Sequence, residues 1–164
     1  MAVDYLVDQG HRTIGMLAGR EVSPARGQRV RGFRDALSAH GLPIVEERIL
    51  GGPSTQESGH ENALQLLAQA PDITAIFAYN DLMAMGALKA CRELGRRVPE
   101  DCAVIGFDDM LFAALTMPAL TTIRLDKYGI GREAMARLFD MMEVPDATFP
   151  PIELDVELVV RESA

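Results

Sequence analysis

Two polar residues, Asn80 and Asp108, each follow a short apolar run near the middle of the sequence. The runs occupy residues 75–78 and 102–107. An amide both donates and accepts hydrogen bonds and a carboxylate accepts them, so the pair suits a small ligand with hydroxyl or amino groups. The structural alternative is that Asn80 or Asp81 caps a helix, because both residue types are favoured at that position.

A βαβ unit is predicted to bring Asn80 and Asp108 together. Between the two apolar runs, residues at helical spacing share one face: Ala84, Ala87, Leu88, Cys91 and Leu94. Gly95 suits the end of this helix, and Pro99 prevents its continuation. Strand, helix and strand within about 35 residues predict two parallel, neighbouring strands. Ligands bind at the carboxyl ends of such strands, where both polar side chains are placed.

Arg29 is the third candidate at this edge. It lies next to Val30, on the inner face of a helix predicted at 24–40, so it could point toward Asn80 and Asp108. The planar guanidinium can donate two hydrogen bonds to paired hydroxyls or to a carboxylate. We expect a solvated helix surface for the neighbouring arginines, which are Arg26, Arg31 and Arg34.

Strands and helices alternate along the rest of the chain. Apolar runs predict further strands at 12–18, 48–51, 120–123 and 154–160. Amphipathic patterns predict further helices, at 2–9 and 126–142. A capping box of Ser54 and Glu57 predicts one more helix, which starts at Ser54. The alternation predicts an α/β fold: a doubly wound, mostly parallel sheet flanked by helices, with right-handed crossovers.

Composition narrows the function. A net charge of −8 argues against this segment gripping nucleic acid or anionic membranes, and no apolar run is long enough to span a membrane. Cys91 and Cys102 lie in apolar patterns, which favours buried free thiols in a reducing, cytoplasmic compartment. The histidines lack metal-ligand spacing, and we find neither a phosphate loop nor a nucleophile elbow. We therefore predict a binding module, not an enzyme, with no metal and no cofactor. Gly131 is interpreted as a helix-packing position and not as part of a site.

Seven stretches, in order along nearly the whole chain, resemble the lactose-repressor and galactose-repressor family of bacterial transcription regulators. They are 10–14 (GHRTI), 29–33 (RVRGF), 78–81 (AYND), 98–101 (VPED), 105–109 (IGFDD), 120–123 (LTTI) and 158–163 (LVVRES). The resemblance implies the effector-binding core, which has the periplasmic sugar-binding-protein fold of two subdomains around a cleft. It also implies that Arg29, Asn80 and Asp108 grip the effector, usually a sugar and sometimes a nucleobase.

The resemblance covers the carboxyl-terminal part of that core. It implies that residues 1–124 form the C-terminal subdomain and that 125–150 are a crossover segment and helix belonging to the missing N-terminal subdomain. Residues 151–164 are then the return strand. Operator DNA would be bound only through a missing helix-turn-helix head. The predicted helix would leave Ile130 and Leu138 uncovered. It could fold back on its own subdomain, pair with a second chain or stay disordered; we favour pairing, and 143–151 could then serve as a hinge for exchange of the strand at 154–160.

Ser54 and Leu125 are the departures at the effector site. Many family members have an aromatic residue over the effector in place of Ser54 and a glutamine in place of Leu125. Both positions remain candidate effector-binding residues by resemblance. The loss of a stacking ring and a polar contact leaves a smaller or less polar effector as an alternative to a sugar.

A second surface is expected to form a two-fold homodimer, again by resemblance. Its residues are Met85, Leu111, Thr116 and Met117, in segments that look too apolar for open solvent. The alternative is a local core under the turn at Pro118. For function, two other classes stay open: a fragment of a periplasmic-type solute-binding protein, or a response-regulator-like domain that binds magnesium through Asp108 and Asp109.

Overall fold

The computed structural model describes residues 1–144 and 148–164, and its strands form a six-stranded sheet. The strands are β1 Ile14–Ala18, β2 Ile49–Gly51, β3 Ala75–Ala78, β4 Ala103–Asp108, β5 Thr121–Leu125 and β6 Val156–Val159. Their spatial order is β2-β1-β3-β4-β5-β6. Strands β1 to β5 run parallel, and β6 is antiparallel to β5.

Helices cover both faces of this sheet. They are α1 Ala2–Asp8, α2 Pro24–Ala39, α3 Gln56–Gln69, α4 Asp81–Glu93 and α5 Lys127–Glu143, with 3-10 helices at Glu46–Arg48 and Leu111–Leu115. One core joins α1 and α2 to the sheet through residues such as Leu6, Phe33 and Met16. The other joins α3 and α4 to the opposite face through residues such as Leu66 and Met83. The predicted doubly wound, mostly parallel α/β fold is confirmed.

The central strands are apolar throughout because both of their faces are covered. Every residue of β1 and β3 is buried, which explains why these strands read as continuous apolar runs. In β5 the outward residue Arg124 breaks the run, and in β6 the side chains are half-buried or exposed. Cys91 and Cys102 are buried free thiols, as predicted.

Helices α3 and α4 cross at unusually short range. A Cβ at Gly59 would lie 2.4 Å from the carbonyl oxygen of Met83, and one at Gly86 would lie 2.3 Å from that of Gln56. Glycine at both positions lets the two backbones touch. This contact sets the position of the amino end of α4, which follows Asn80 directly.

Three sequence expectations are corrected. Helix α3 begins at Gln56 and its N-cap is Thr55, whose side chain accepts from the Ser58 amide at 3.2 Å, so the predicted start at Ser54 is wrong. Gly131 is exposed and a Cβ there would meet nothing within 4 Å, so it is not a packing position. The last strand is shorter than the predicted 154–160.

Helix α5 presents apolar side chains to solvent. Ile130 is 41% exposed, Leu138 49% and Phe139 58%. Assignment of 125–150 to a separate subdomain stays a prediction, and residues 145–147 of the predicted hinge lie outside the described part of the chain. Among the described residues, none of the helices is long and apolar enough to cross a membrane.

Candidate functional site

Arg29, which α2 carries to the carboxyl edge of the sheet, lies between two aromatic rings. Its guanidinium carbon is 4.3 Å from the ring centroid of Tyr79 and 3.7 Å from that of Phe107. Its Nη1 donates to the carbonyl oxygen of Tyr79 at 2.8 Å. Burial lowers the pKa of Arg29, while Tyr79 and Asp108 act in the opposite sense, and the guanidinium remains charged. The rings and the carbonyl therefore hold a partly desolvated cation in one orientation.

Asp108 ends β4 beside this cation. Its Oδ1 is 3.9 Å from Nη2 of Arg29, which is a charge contact but too long for a hydrogen bond. The Asp108 side chain is 29% exposed. Burial raises its pKa, the charge of Asp81 adds to this effect, and the charges of Arg29 and Lys127 oppose it. The carboxylate is therefore incompletely solvated and incompletely paired, and it can accept hydrogen bonds from a ligand.

A left-handed turn presents the Asp108 side chain. Asp108 has φ of 117° and Asp109 has φ of 47°, values that cost a non-glycine residue about 1–3 kcal/mol each. The Asp109 carboxylate holds the turn, since it accepts from Arg161 Nη2 at 2.6 Å and from Arg124 Nε at 2.7 Å. The Lys127 ammonium donates to the carbonyls of Asp108 and Asp109. This strain, held by several contacts, is typical of a ligand-binding turn.

The contacts of Asp109 argue against the magnesium alternative. Burial raises its pKa, but the hydrogen bonds from Arg161 and Arg124 outweigh burial and lower the pKa overall. A divalent cation at Asp108 and Asp109 would have to displace both arginines. Across residues 1–144 and 148–164, no cluster of three or more His, Cys, Asp or Glu side chains could hold a metal ion.

Asn80 is the helix cap that the sequence offered as the structural alternative, and its ligand role stays a prediction. Its Oδ1 accepts from the Met83 amide at 2.9 Å, so it caps α4, and it is only 9% exposed. Its Nδ2 donates to the carbonyl oxygen of Ser54 at 3.3 Å. Because Tyr79, the preceding residue, accepts from Arg29, the cap fixes Asn80 at the same edge as Arg29 and Asp108.

The remaining candidates occupy different places. Ser54 meets the site through its backbone carbonyl, which contacts Asn80. Leu125, at the end of β5, lines a separate cavity of about 480 Å³ beyond Asp109. Six of its nine lining residues are charged, namely Asp109, Arg124, Asp126, Lys127, Asp155 and Glu157. The structure thus joins Arg29 and Asp108 through a charge contact and places Asn80 at the same edge of the sheet through Tyr79, with Ser54 beside Asn80 and Leu125 apart from these residues.

Sequence reasoning missed the residues that support this group. Tyr79 and Phe107 immediately precede Asn80 and Asp108, and their rings enclose Arg29. Asp81, which is fully buried, was considered only as a helix cap. Each of these supporting residues is next in sequence to a predicted site residue, and this neighbourhood is the one feature of the sequence that could have indicated them.

The expected dimer surface combines exposed apolar side chains with polar and charged ones, among them Lys89 and Arg92. Met85, Thr116 and Met117 line one shallow groove. Leu111 and Met117 are each 94% exposed, so the alternative of a local core under Pro118 is wrong for these two side chains.

The chain resembles known regulators over almost its full length. Residues 3–164 match the family model described as a periplasmic binding protein-like domain. The HTH-type transcriptional repressor CytR of Escherichia coli K12 is 40% identical over 162 residues, which cover 99% of this chain and 48% of that repressor. The chain therefore spans about half the length of the curated relatives it matches.

Two solved structures share the architecture. The transcriptional regulator CelR in complex with cellobiose superposes with a TM-score of 0.91 at 39% identity, covering 99% of this chain and 50% of that one. The lac repressor dimer bound to operator and the anti-inducer ONPF has a TM-score of 0.90 at 31% identity, covering 99% of this chain and 56% of that one.

Proposed function

Because the chain belongs to the periplasmic binding protein-like domain family, we propose that it is the effector-sensing part of a DNA-binding transcription regulator. The resemblance to lactose-repressor-type regulators in the sequence is confirmed by its relatives, which are transcriptional repressors. We propose no enzymatic activity and a cytoplasmic location. Operator binding would lie in a segment other than this one, whose net charge is −8.

The position of Arg29, Asn80 and Asp108 at one edge of the sheet supports this proposal. A fixed guanidinium offers donors and the Asp108 carboxylate offers acceptors, while the Asn80 amide, which already bonds Met83 and Ser54, retains one further donor hydrogen and one further acceptor lone pair. A sugar presents hydroxyls that donate and accept at once, so it can satisfy all three. The CelR complex contains cellobiose, which supports a sugar or a related hydroxyl-rich small molecule as the effector here.

A thermal-shift screen of the full-length protein tests this assignment. Cellobiose, lactose, ribose, glycerol, cytidine and adenosine form the panel, because they vary in size and in hydroxyl content. A compound that binds is expected to raise the unfolding temperature, since it stabilises the folded state by mass action.

Arg29→Lys and Arg31→Lys make a matched pair for the screen. Arg31 lies on the same helix but is exposed. A lysine at position 29 keeps the positive charge but lacks the paired donors of the planar guanidinium. We therefore expect affinity for the effector to fall by about tenfold or more, as for a lost hydrogen bond to a charged group. Arg31→Lys should bind as the wild type does. Equal affinity in both variants would show that Arg29 does not contact the effector.

We also propose a homodimer through the surface that contains Met85, Leu111, Thr116 and Met117. The lac repressor neighbour, which covers 99% of this chain, is a dimer. Exposed apolar side chains at this density are typical of an interface core.

Sedimentation of the full-length protein measures this association. Met85→Glu and Met117→Glu each place a charge in the surface and should shift the mass toward the monomer. Ile44→Glu, at an exposed apolar residue outside the surface, is the control and should leave the mass unchanged. Unchanged mass in both surface variants would rule this surface out.

A further inference from the structure

Asp81 is a fully buried carboxylate at the first position of α4, one residue after Asn80. Its Oδ2 accepts from the backbone amide of Met110 at 2.7 Å, and its Oδ1 accepts from the hydroxyl of Thr122 at 2.6 Å. The residue at position 106 is glycine, and a Cβ there would lie 2.3 Å from Asp81 Oδ1. Three elements therefore meet at one buried carboxylate.

Such a carboxylate is costly to keep. Transfer of a charged group from water to a buried site is unfavourable unless its oxygens are bonded, and burial raises the pKa of Asp81 although both hydrogen bonds oppose this. Asn80 already provides the helix cap, so Asp81 is not needed for that role. The bonds that Asp81 makes, and not the helix start, are what distinguish it.

Met110 lies between two features of interest. The left-handed turn of Asp108 and Asp109 precedes it, and the 3-10 helix Leu111–Leu115 follows it. Thr122, the other partner of Asp81, also accepts from the Asp109 amide at 3.4 Å. Asp81 thus fixes the backbone at the point where the ligand-binding turn passes into the exposed apolar segment.

We infer that Asp81 is a positioning residue that couples the effector site to the dimer surface. This inference rests on the proposed function, which places the effector at Asp108 and the second subunit at Leu111 and Met117. A shift of the apolar segment on dimerisation moves the Met110 amide, and the Asp81 carboxylate transmits that shift to the turn. If dimerisation changes the affinity for the effector by some factor, effector binding changes the affinity between the subunits by that same factor.

The hydrogen bond from the Met110 amide to Asp81 can be followed through the hydrogen-exchange rate of that amide, measured with residue resolution in the full-length protein. Thr122→Val keeps the side-chain shape and removes the hydroxyl. Asp81 then has one partner and its carboxylate is free to move, and the Asp109 amide loses its weak 3.4 Å contact as well. We expect Met110 exchange to quicken by about tenfold. Thr121→Val is the control, because that hydroxyl is equally buried but accepts from the Arg161 amide at 2.9 Å. It should change Met110 exchange by less than about twofold.

A second variant covers the case in which Thr122→Val does not fold. Asp81→Asn keeps the side-chain size and removes the charge, and it should quicken Met110 exchange in the same direction. A uniform increase across β4 and β5 in these variants would indicate a general loss of stability and would overturn the positioning role. Equal effects of Thr122→Val and Thr121→Val would overturn it as well.

Coupling to the dimer surface is tested by adding Met117→Glu. In the wild-type background, loss of the dimer is expected to change Met110 exchange by about fivefold, whereas in the Thr122→Val background it should change little. The same change in both backgrounds, or none in the wild type, overturns the inference. The thermal-shift panel tests the effector assignment separately: a panel compound that binds while Met110 exchange ignores Met117→Glu refutes the coupling and leaves the proposed function standing.

Discussion

Asp108 and Asp109 are adjacent carboxylates with opposite electrostatic surroundings. Asp108 is half-buried, and the nearest cation, Arg29, lies at 3.9 Å, so burial outweighs that charge and raises the pKa of Asp108. Asp109 accepts hydrogen bonds from two arginines, so its pKa is lowered despite burial. One carboxylate is arranged to meet a ligand and the other to hold the turn. This division of roles has measurable consequences for stability.

Replacement of each carboxylate by an amide is expected to change stability with opposite signs. A raised pKa in the folded state means that stability falls as pH rises from the unfolded pKa, about 4, through the folded pKa of Asp108. Asp108→Asn should therefore be more stable than the wild type at pH 7, and this gain should vanish below about pH 4. Effector binding should be lost in the same variant.

Asp109→Asn provides the matched comparison. Its lowered pKa contributes stability above the unfolded pKa, and this stability is lost as pH falls through the folded pKa. The variant should lose about 1–3 kcal/mol at pH 7 and less in acid. Urea unfolding between pH 3 and pH 8 measures both curves. Parallel curves for the two variants would show that the carboxylates do not differ in this way.

Position alone was enough to propose the site residues, whose ligand role stays a prediction, whereas the residues that support them could not be predicted. Asn80 and Asp108 follow from the rule that strand ends bind ligands, and Arg29 follows from its neighbour Val30. The enclosure of Arg29 by Tyr79 and Phe107 joins three elements that are distant in sequence, so no local pattern reports it. The burial of a charged group such as Asp81 also depends on what packs over it.

At the scale of elements, the crossing of α3 and α4 depends on an absent side chain. Gly86→Ala would place a Cβ 2.3 Å from the carbonyl oxygen of Gln56 and 2.4 Å from the amide nitrogen of His60. These are backbone atoms, so the helices must separate, and we expect a loss of about 1–3 kcal/mol. Gly131→Ala in α5 meets nothing within 4 Å and should instead gain about 0.5–1 kcal/mol.

Denaturant unfolding measures the free energy of unfolding of Gly86→Ala and Gly131→Ala. The same substitution in two helices separates crowding from helix propensity. If Gly86→Ala were as stable as Gly131→Ala, the two helices would not be in backbone contact. Displacement of α4 should also reduce effector affinity, because Asn80 caps its first turn.

Element types were easier to predict than element ends. The apolar run at 75–78 is β3 without change, because Asn80 and the following helix terminate it sharply. Helix α5 was expected from Asp126 but begins at Lys127, since the Asp126 side chain caps it by accepting from the Gly129 amide at 2.8 Å. The cap at Thr55 was misplaced by one residue, because Ser54 and Thr55 are equally suited to that role.

At the scale of the whole molecule, helices α1 to α4 cover both faces of the sheet as far as β5. Strand β6, at the edge of the sheet, is only partly covered. The two cores involve α1 to α4 and the strands that they cover. Helix α5 follows β5 with one buried residue, Gly129, among those that its range contains. Strand β6 pairs with β5 of its own chain. The molecule therefore consists of a sheet packed against α1 to α4 and a further helix, α5, whose apolar side chains are largely exposed.

The exposed face of α5 predicts a difference between the 164-residue chain and the full-length protein. Full burial of a large apolar side chain contributes about 1.5–3 kcal/mol. Ile130, Leu138 and Phe139 are 41%, 49% and 58% exposed, so association can gain only part of that value from each of them. We expect the 164-residue chain to self-associate and to enhance the fluorescence of a hydrophobic-surface dye. If 125–150 belong to a further subdomain, as the sequence resemblance implies, the full-length protein should show neither effect through this helix.

Leu138→Glu tests that face directly. The variant should reduce dye binding by the 164-residue chain and shift its sedimentation toward the monomer, because a charge on the face disfavours burial. Arg132→Glu, on the same helix at an exposed polar position, is the control and should change neither measurement. A wild-type chain that sediments as a monomer and does not bind dye would refute the prediction. Its apolar residues on α5 would then have to be covered by the chain itself, through a movement of α5 onto the sheet.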